Sequence, residues 1–292
     1  MNHALTPAAK DAEAVLRPRR FPRLSATAWI GAAIVAFWLA MIAFGPVLAP
    51  YDPGEMLNGV DVFAPTSLAH WFGTDYLGRD MLSRVLMGVR YTVGVALIAT
   101  LVASGLGVTL GLLAAVSNRW IDGALSRSLD VLVAIPSKMF ALVVVAAFGS
   151  SIPTLILTAA LAYTPGAFRI SRSLAVNINT MDYVLVARTR GEGLAYIMCR
   201  EILPNIMGPV LADFGLRFVY VVLLLAGMSF LGLGVQPPFA DWGSLVRENI
   251  GGLDQGAVAV IAPAIAIATL TIGVNLLIDN LPGHARRDEQ GH

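Results

Sequence analysis

The stretch Met181-Asp-Tyr-Val-Leu-Val-Ala-Arg-Thr-Arg-Gly-Glu-Gly193, continued after a short gap by Arg200-Glu-Ile-Leu-Pro-Asn205, is a charged island between two apolar runs. Thr180 is placed to cap a helix that starts at Met181, and Asp182 sits in its electropositive first turn. Arg188 and Arg190 fall in its last turn, and Gly191 can take the left-handed closing position. A second helix is expected over residues 194–203, stopped at Pro204. Tyr183, Val186, Ala187, Tyr196 and Ile197 form the candidate apolar face of the resulting knob. Spacing alone fits a docking surface for a soluble partner and a solvated loop equally well.

The runs on either side identify the surroundings. Of 292 residues, 57% are apolar and 13% charged, about half the charge of a soluble domain. Charge-free stretches cover residues 24–51, 91–118, 139–168, 218–240 and 255–278. A span of about 20 apolar residues crosses a hydrocarbon core of about 30 Å. The Gly149-Ser-Ser-Ile-Pro153 break divides one long run in two. Six spans are therefore expected, near residues 27–48, 92–117, 129–148, 153–168, 210–231 and 257–277, with tails at 1–26 and 282–292. Lipid leaves no water for unpaired backbone groups and no alternating barrel pattern is visible, so the fold class is an all-α membrane protein.

Orientation follows from the 20 basic side chains. Lys10, Arg17, Arg19, Arg20, Arg23, Arg119, Arg127, Arg169, Arg172, Arg188, Arg190, Arg200, Arg286 and Arg287 share one side. Arg79, Arg84, Arg90 and Arg247 occupy the other, and Lys138 and Arg217 lie within spans. The excess puts both termini and the island in the cytoplasm. The first apolar run exceeds a signal-peptide core and reads as an uncleaved span. Cys199, the only cysteine, cannot form an internal disulfide and is expected to be a packing residue.

Two segments lie on the opposite face. Within residues 50–90, Leu77, Met81, Val85 and Leu86 recur near helical spacing, with Asp80 and Arg84 four apart. This pattern suits a helix lying on the membrane surface or a lead-in to the second span. In Gly234-Val-Gln-Pro-Pro-Phe-Ala-Asp-Trp-Gly243 the paired prolines forbid regular helix and Trp242 suits an interface. Gln236, Pro237, Pro238 and Trp242 are candidate contacts for a substrate or delivery protein, or parts of a rigid cap.

Ionisable groups within spans are functional by default. Lys138, Asp213 and Arg217 are candidates for a translocation path, and Asp279 lies near a span end. Asp213 and Arg217, four apart on one helix, would also neutralise each other as an ion pair. An ion-driven transporter is the opposing class. An intramembrane enzyme finds little support, since His3, His70, His284 and His292 fall in tails or loops and no His-Glu-x-x-His occurs. No metal or nucleic-acid site is expected.

The island resembles the cytoplasmic EAA loop of ABC importer permeases, a Glu-Ala-Ala triplet with a glycine four residues on and a later Leu-Pro. Ala187, Gly191 and Leu203-Pro204 match in order and spacing, and Tyr183-Val184, Arg188 and Asn205 are similar to the peptide-importing branch. Leu185 stands where the signature glutamate would, and Val186 where the first alanine would. Trp71-Phe-Gly-Thr-Asp-Tyr-Leu-Gly-Arg-Asp-Met-Leu-Ser-Arg84, Ala226-Gly-Met-Ser-Phe-Leu-Gly-Leu-Gly-Val-Gln-Pro-Pro238 and Asn275-Leu-Leu-Ile-Asp279 resemble segments of the C-type subunit of dipeptide, oligopeptide and nickel permeases. Pro282-Gly-His-Ala-Arg-Arg287 replaces that family's usual Asp-Pro-Arg tail.

The resemblance implies the six-helix fold of type I ABC importer permeases, with a coupling loop over residues 171–207. Asp182, Tyr183, Ala187, Arg188, Gly191, Gly193, Arg200, Ile202, Leu203 and Pro204 would then meet an ATPase. It also implies a bacterial inner-membrane location, a B-type partner permease, two ATP-binding subunits carrying ATP and Mg, and a periplasmic binding protein. Substrates across the resemblance include peptides, glutathione, nickel and opine-like compounds. A phosphate-binding loop needs Gly-Lys-Ser/Thr. Here Lys10 follows Ala9 and Lys138 follows Ser137, so this chain has no such loop.

Overall fold

The computed structural model describes residues 25–56 and 61–280. The expected tails at 1–26 and 282–292 lie outside the described residues, apart from Ser25 and Ala26. Among the described residues there is no strand, only a bridge between Thr74 and Asp80.

The long helices are α1 (Ala26–Leu48), α2 (Met81–Val116), α5 (Ile152–Asn179), α7 (Leu194–Phe230) and α9 (Val258–Asp279). Between them lie α3 (Arg119–Val133), α4 (Ser137–Phe148), α6 (Asp182–Thr189) and α8 (Trp242–Asn249). Polar side chains start several of them: Ser25, Asp80, Asn118, Ser151 and Asp241 each accept a backbone N–H of the first turn. Among the described residues four helices, α1, α2, α7 and α9, are long and apolar enough to cross a membrane, and the α3–α4 pair adds a fifth if counted as one span. The apolar part of α5 ends at Phe168, before Arg169 and Arg172.

Glycine lets the helices approach closely, as expected where lipid supplies no hydrophobic drive between helices. A Cβ on Gly107 of α2 would lie 2.8 Å from the Thr164 carbonyl of α5, and one on Gly111 would lie 2.8 Å from that of Phe168. Gly31 of α1 meets α9 similarly, with the Gly273 carbonyl 2.8 Å from its would-be Cβ. The main core joins Val85, Val89, Val221, Val222, Leu245 and Leu270. A second core of Leu112, Val116, Ala175, Val184, Ile197, Ile202 and Ile206 seats the island against the ends of α2, α5 and α7.

Several boundaries differ from expectation. The segment at 129–148 is not one straight helix: α3 and α4 meet at 80°, because Pro136 cannot donate a helical hydrogen bond and crowds the preceding turn. The helix expected at 153–168 continues to Asn179. Residues 76–90, read as a surface helix or a lead-in, are helical only from Met81 and form a lead-in: Met81–Val89 runs through a π turn at Arg90–Gly94 into the rest of α2.

Pro204 does not stop a helix. The backbone passes through a π turn at Ile197–Ile202 and continues to Phe230, because the wider turn puts Pro204 at the start of a fresh helical stretch, where no N–H is required.

Candidate functional site

The island is a compact knob. Its first helix begins one residue later than expected: Met181 is the N-cap residue, and the Thr180 hydroxyl instead donates to the Asn177 carbonyl, 2.9 Å. At the other end Gly191 has φ 80°. Its N–H donates to the Arg188 carbonyl at 2.9 Å and that of Glu192 to the Ala187 carbonyl at 3.2 Å, the paired bonds of a Schellman closure. Gly193 then caps the start of α7 with extended backbone.

Side chains fix the knob to the bundle. Arg188 donates to the Asn179 side chain at 2.8 Å, and Asn179 donates to the Ala115 carbonyl at the end of α2 at 2.9 Å. Asn205 of α7 donates to the Tyr183 hydroxyl at 3.1 Å. Val184, Ala187, Ile197 and Ile202 are fully buried beneath, and Leu203 is partly buried.

The expected contact face is therefore split. Ala187 and Ile197 point into the bundle, while Tyr183, Val186 and Tyr196 remain exposed, joined by Met181, Leu185 and Leu194. Asp182, Arg188, Arg200 and Pro204 are also on the surface. Cys199, expected to be a packing residue, is exposed, since the π turn leaves it on the outer side of its helix.

The intraspan charges do not form one group. Arg217 is buried and pairs with Asp213 through contacts of 2.7 and 2.8 Å, while its Nη1 donates to the Tyr163 carbonyl at 2.8 Å. Lys138 is exposed on the first turn of α4 beside the α3–α4 break, and makes no ion pair among the described residues.

At the far end of α7, the Gly234–Gly243 loop divides into an exposed tip and a buried root. Gln236, Pro237, Pro238 and Phe239 are exposed, and Gln236 donates to the carbonyls of Gly232 and Gly234. Trp242 is not an interfacial side chain. It is 0% exposed, its indole N–H donates to the Val85 carbonyl at 3.0 Å, and its ring meets Trp38 edge to face at 4.7 Å. Asp241 caps α8 and accepts the Ser229 hydroxyl, and burial pushes its carboxyl above the usual carboxylate range. Arg84 does not pair with Asp80. It reaches Asp75 at 2.5 Å and Glu248 at 3.0 Å, while Asp80 binds Ser83 and His70.

Sequence reasoning missed Asn179, whose two hydrogen bonds join three helix ends, and Gly166, whose would-be Cβ lies 2.7 Å from Arg217 Nη1. No motif marks either. An Asn closing a helix immediately before the island was the available signal for the first.

Residues 107–287 match the family described as binding-protein-dependent transport system inner membrane component. The chain is similar to a glutathione transport system permease protein of Pectobacterium atrosepticum, with 34% identity over 264 residues, covering 90% of this chain and 87% of that one. A dipeptide transport system permease protein of Alkalihalophilus pseudofirmus is 31% identical over 257 residues, 86% and 83% of the two chains. A probable D,D-dipeptide transport system permease protein of Escherichia coli is 34% identical over 254 residues, 86% and 84%.

Proposed function

Because this chain belongs to the family of binding-protein-dependent transport system inner membrane components, we propose that it passes a peptide or a glutathione-like solute across the bacterial inner membrane, driven through the 181–205 knob by an ATPase subunit. The chain is a membrane-spanning permease subunit of an ABC importer, and that family is not itself enzymatic. In this reading ATP and Mg are held by two partner subunits, a B-type permease completes the pore, and a periplasmic binding protein delivers the solute. Both termini and the knob face the cytoplasm, and α5 supplies the sixth span with its charged end projecting below the membrane.

The observation that supports coupling is the knob's construction. A short helix closed by a Schellman turn, tied to α2 through Arg188, Asn179 and Ala115, can pass a push to the bundle without deforming. Its exposed apolar side chains, Leu185 and Val186 among them, suit insertion into a groove. The small-solute reading comes from the relatives' printed substrates, which are peptides and glutathione.

The test is co-purification. Val186 is 55% exposed, so Val186→Asp leaves the fold intact while placing a charge in the contact. The ATPase subunit is expected to co-purify with the native chain and be lost from the variant at equal membrane levels. Undiminished recovery with Val186→Asp and Leu185→Asp combined would move the docking surface elsewhere.

A further inference from the structure

We infer that two ion pairs between α3 and α5 form a latch that carries movement of the knob to the α3–α4 break and sets its angle. The inference rests on the coupling role proposed for the knob. Arg172 of α5 grips Asp122 of α3 side-on through the Nε–Nη2 edge of its guanidinium, Nη2 donating to Oδ2 at 2.5 Å and Nε donating to Oδ1. Arg169 reaches Asp130 at 2.5 Å. The hydrogen bonds from Arg172, helped by its charge, hold the Asp122 carboxyl below its ordinary range, and the same bonds raise the Arg172 guanidinium.

Among the described residues no other hydrogen bond or ion pair fastens the side chains of α3 to another long helix. None of its residues is buried, and its packed side holds only partly covered Leu125, Leu129 and Leu132. Its far end is the 80° break before α4, and Pro136 there removes the hydrogen bond that would keep the two segments in line. Such a joint can change angle without unmaking a helix. An arm held by charge and jointed at a proline follows whatever carries the charges.

The carrier is α5. Arg172 lies seven residues before Asn179, roughly 10 Å along a helix rising 1.5 Å per residue. Asn179 is the residue that Arg188 of the knob grips. A displacement of the knob therefore reaches Arg169 and Arg172 through one uninterrupted helix and pulls on α3. The Arg169–Asp130 pair is solvent-exposed and individually weak, so the partly buried, bidentate Arg172–Asp122 pair carries most of the pull. Lys138, on the first turn beyond the break, moves with the angle.

The experiment uses the whole transporter complex, purified with its ATPase subunits and reconstituted in lipid, in a Cys199→Ser background. Spin labels at Arg127→Cys on α3 and Val143→Cys on α4 report the distance across the break. Native charges are expected to give a shift in that distance between the nucleotide-free and ATP–vanadate states. Asp122→Arg with Asp130→Arg should abolish the shift while ATP hydrolysis persists. Adding Arg169→Asp and Arg172→Asp should restore it, a rescue that bulk destabilisation would not produce.

An unchanged shift in the double reversal, or no rescue by the exchanged charges, would overturn the latch. Val186→Asp combined with Leu185→Asp tests the underlying reading separately: if that variant keeps the native shift, the knob does not drive the break, and the latch falls with it.

Discussion

Arg217 of α7 donates to the main-chain carbonyl of Tyr163 on α5, 2.8 Å away, while Asp213 neutralises it from one turn below. The contact is possible because Gly166 has no side chain where the guanidinium passes. The pair therefore pins one helix to another. Arg217→Leu leaves Asp213 as a largely buried carboxylate without its partner, at a cost of about 3–5 kcal/mol. Removing both charges with Asp213→Leu and Arg217→Leu avoids that penalty. Assembled complex recovered from detergent extracts should fall with the single change and recover in the double. Equal recovery would mean that the charge is solvated in the native protein.

Much of this arrangement was legible in the chain. The apolar runs locate the long helices because lipid-facing segments need length and freedom from charge, which are local properties. Asp213 and Arg217 were legible for a similar reason, being one helical turn apart. Failures arose where a distant contact overruled a neighbour. Asp80 is four residues from Arg84, yet Arg84 turns to Asp75 and Glu248, since the fold brings α8 alongside. Pro204 carries a genuine stop signal, and a π turn removes its penalty. Trp242 beside two prolines resembles an interface anchor until Trp38, far away in the chain, covers it.

Gly191 offers a test in which sterics and conformation separate. Its φ is 80°, and a Cβ built there meets nothing within 4 Å, so within this chain a Cβ is opposed by backbone strain alone. The left-handed conformation costs an ordinary residue about 1–2 kcal/mol, and asparagine less than most. Gly191→Asn should retain transport, whereas Gly191→Val should lose it while membrane insertion is unchanged. ATPase activity stimulated by loaded binding protein, measured in the purified complex, distinguishes the two. Identical behaviour of the Asn and Val variants would show that the Schellman closure is not what aims the knob.

The Gly234–Gly243 loop separates a structural tryptophan from an exposed phenylalanine three residues earlier. Trp242 fills the space between α1 and α2 and is 0% exposed. Trp242→Ala therefore opens a cavity costing about 3–5 kcal/mol, and should lower the thermal midpoint and all activities together. Phe239 is 50% exposed and stacks on Tyr91 at 5.0 Å, so Phe239→Ala should leave the midpoint nearly unchanged. If the loop tip receives the binding protein, Phe239→Ala should weaken stimulation by the loaded binding protein and spare basal hydrolysis. A cysteine substituted for Phe239 in a Cys199→Ser chain should react with a membrane-impermeant thiol reagent in intact spheroplasts. Labelling only after the membrane is opened would place the tip in the cytoplasm and reverse the orientation assigned to the knob.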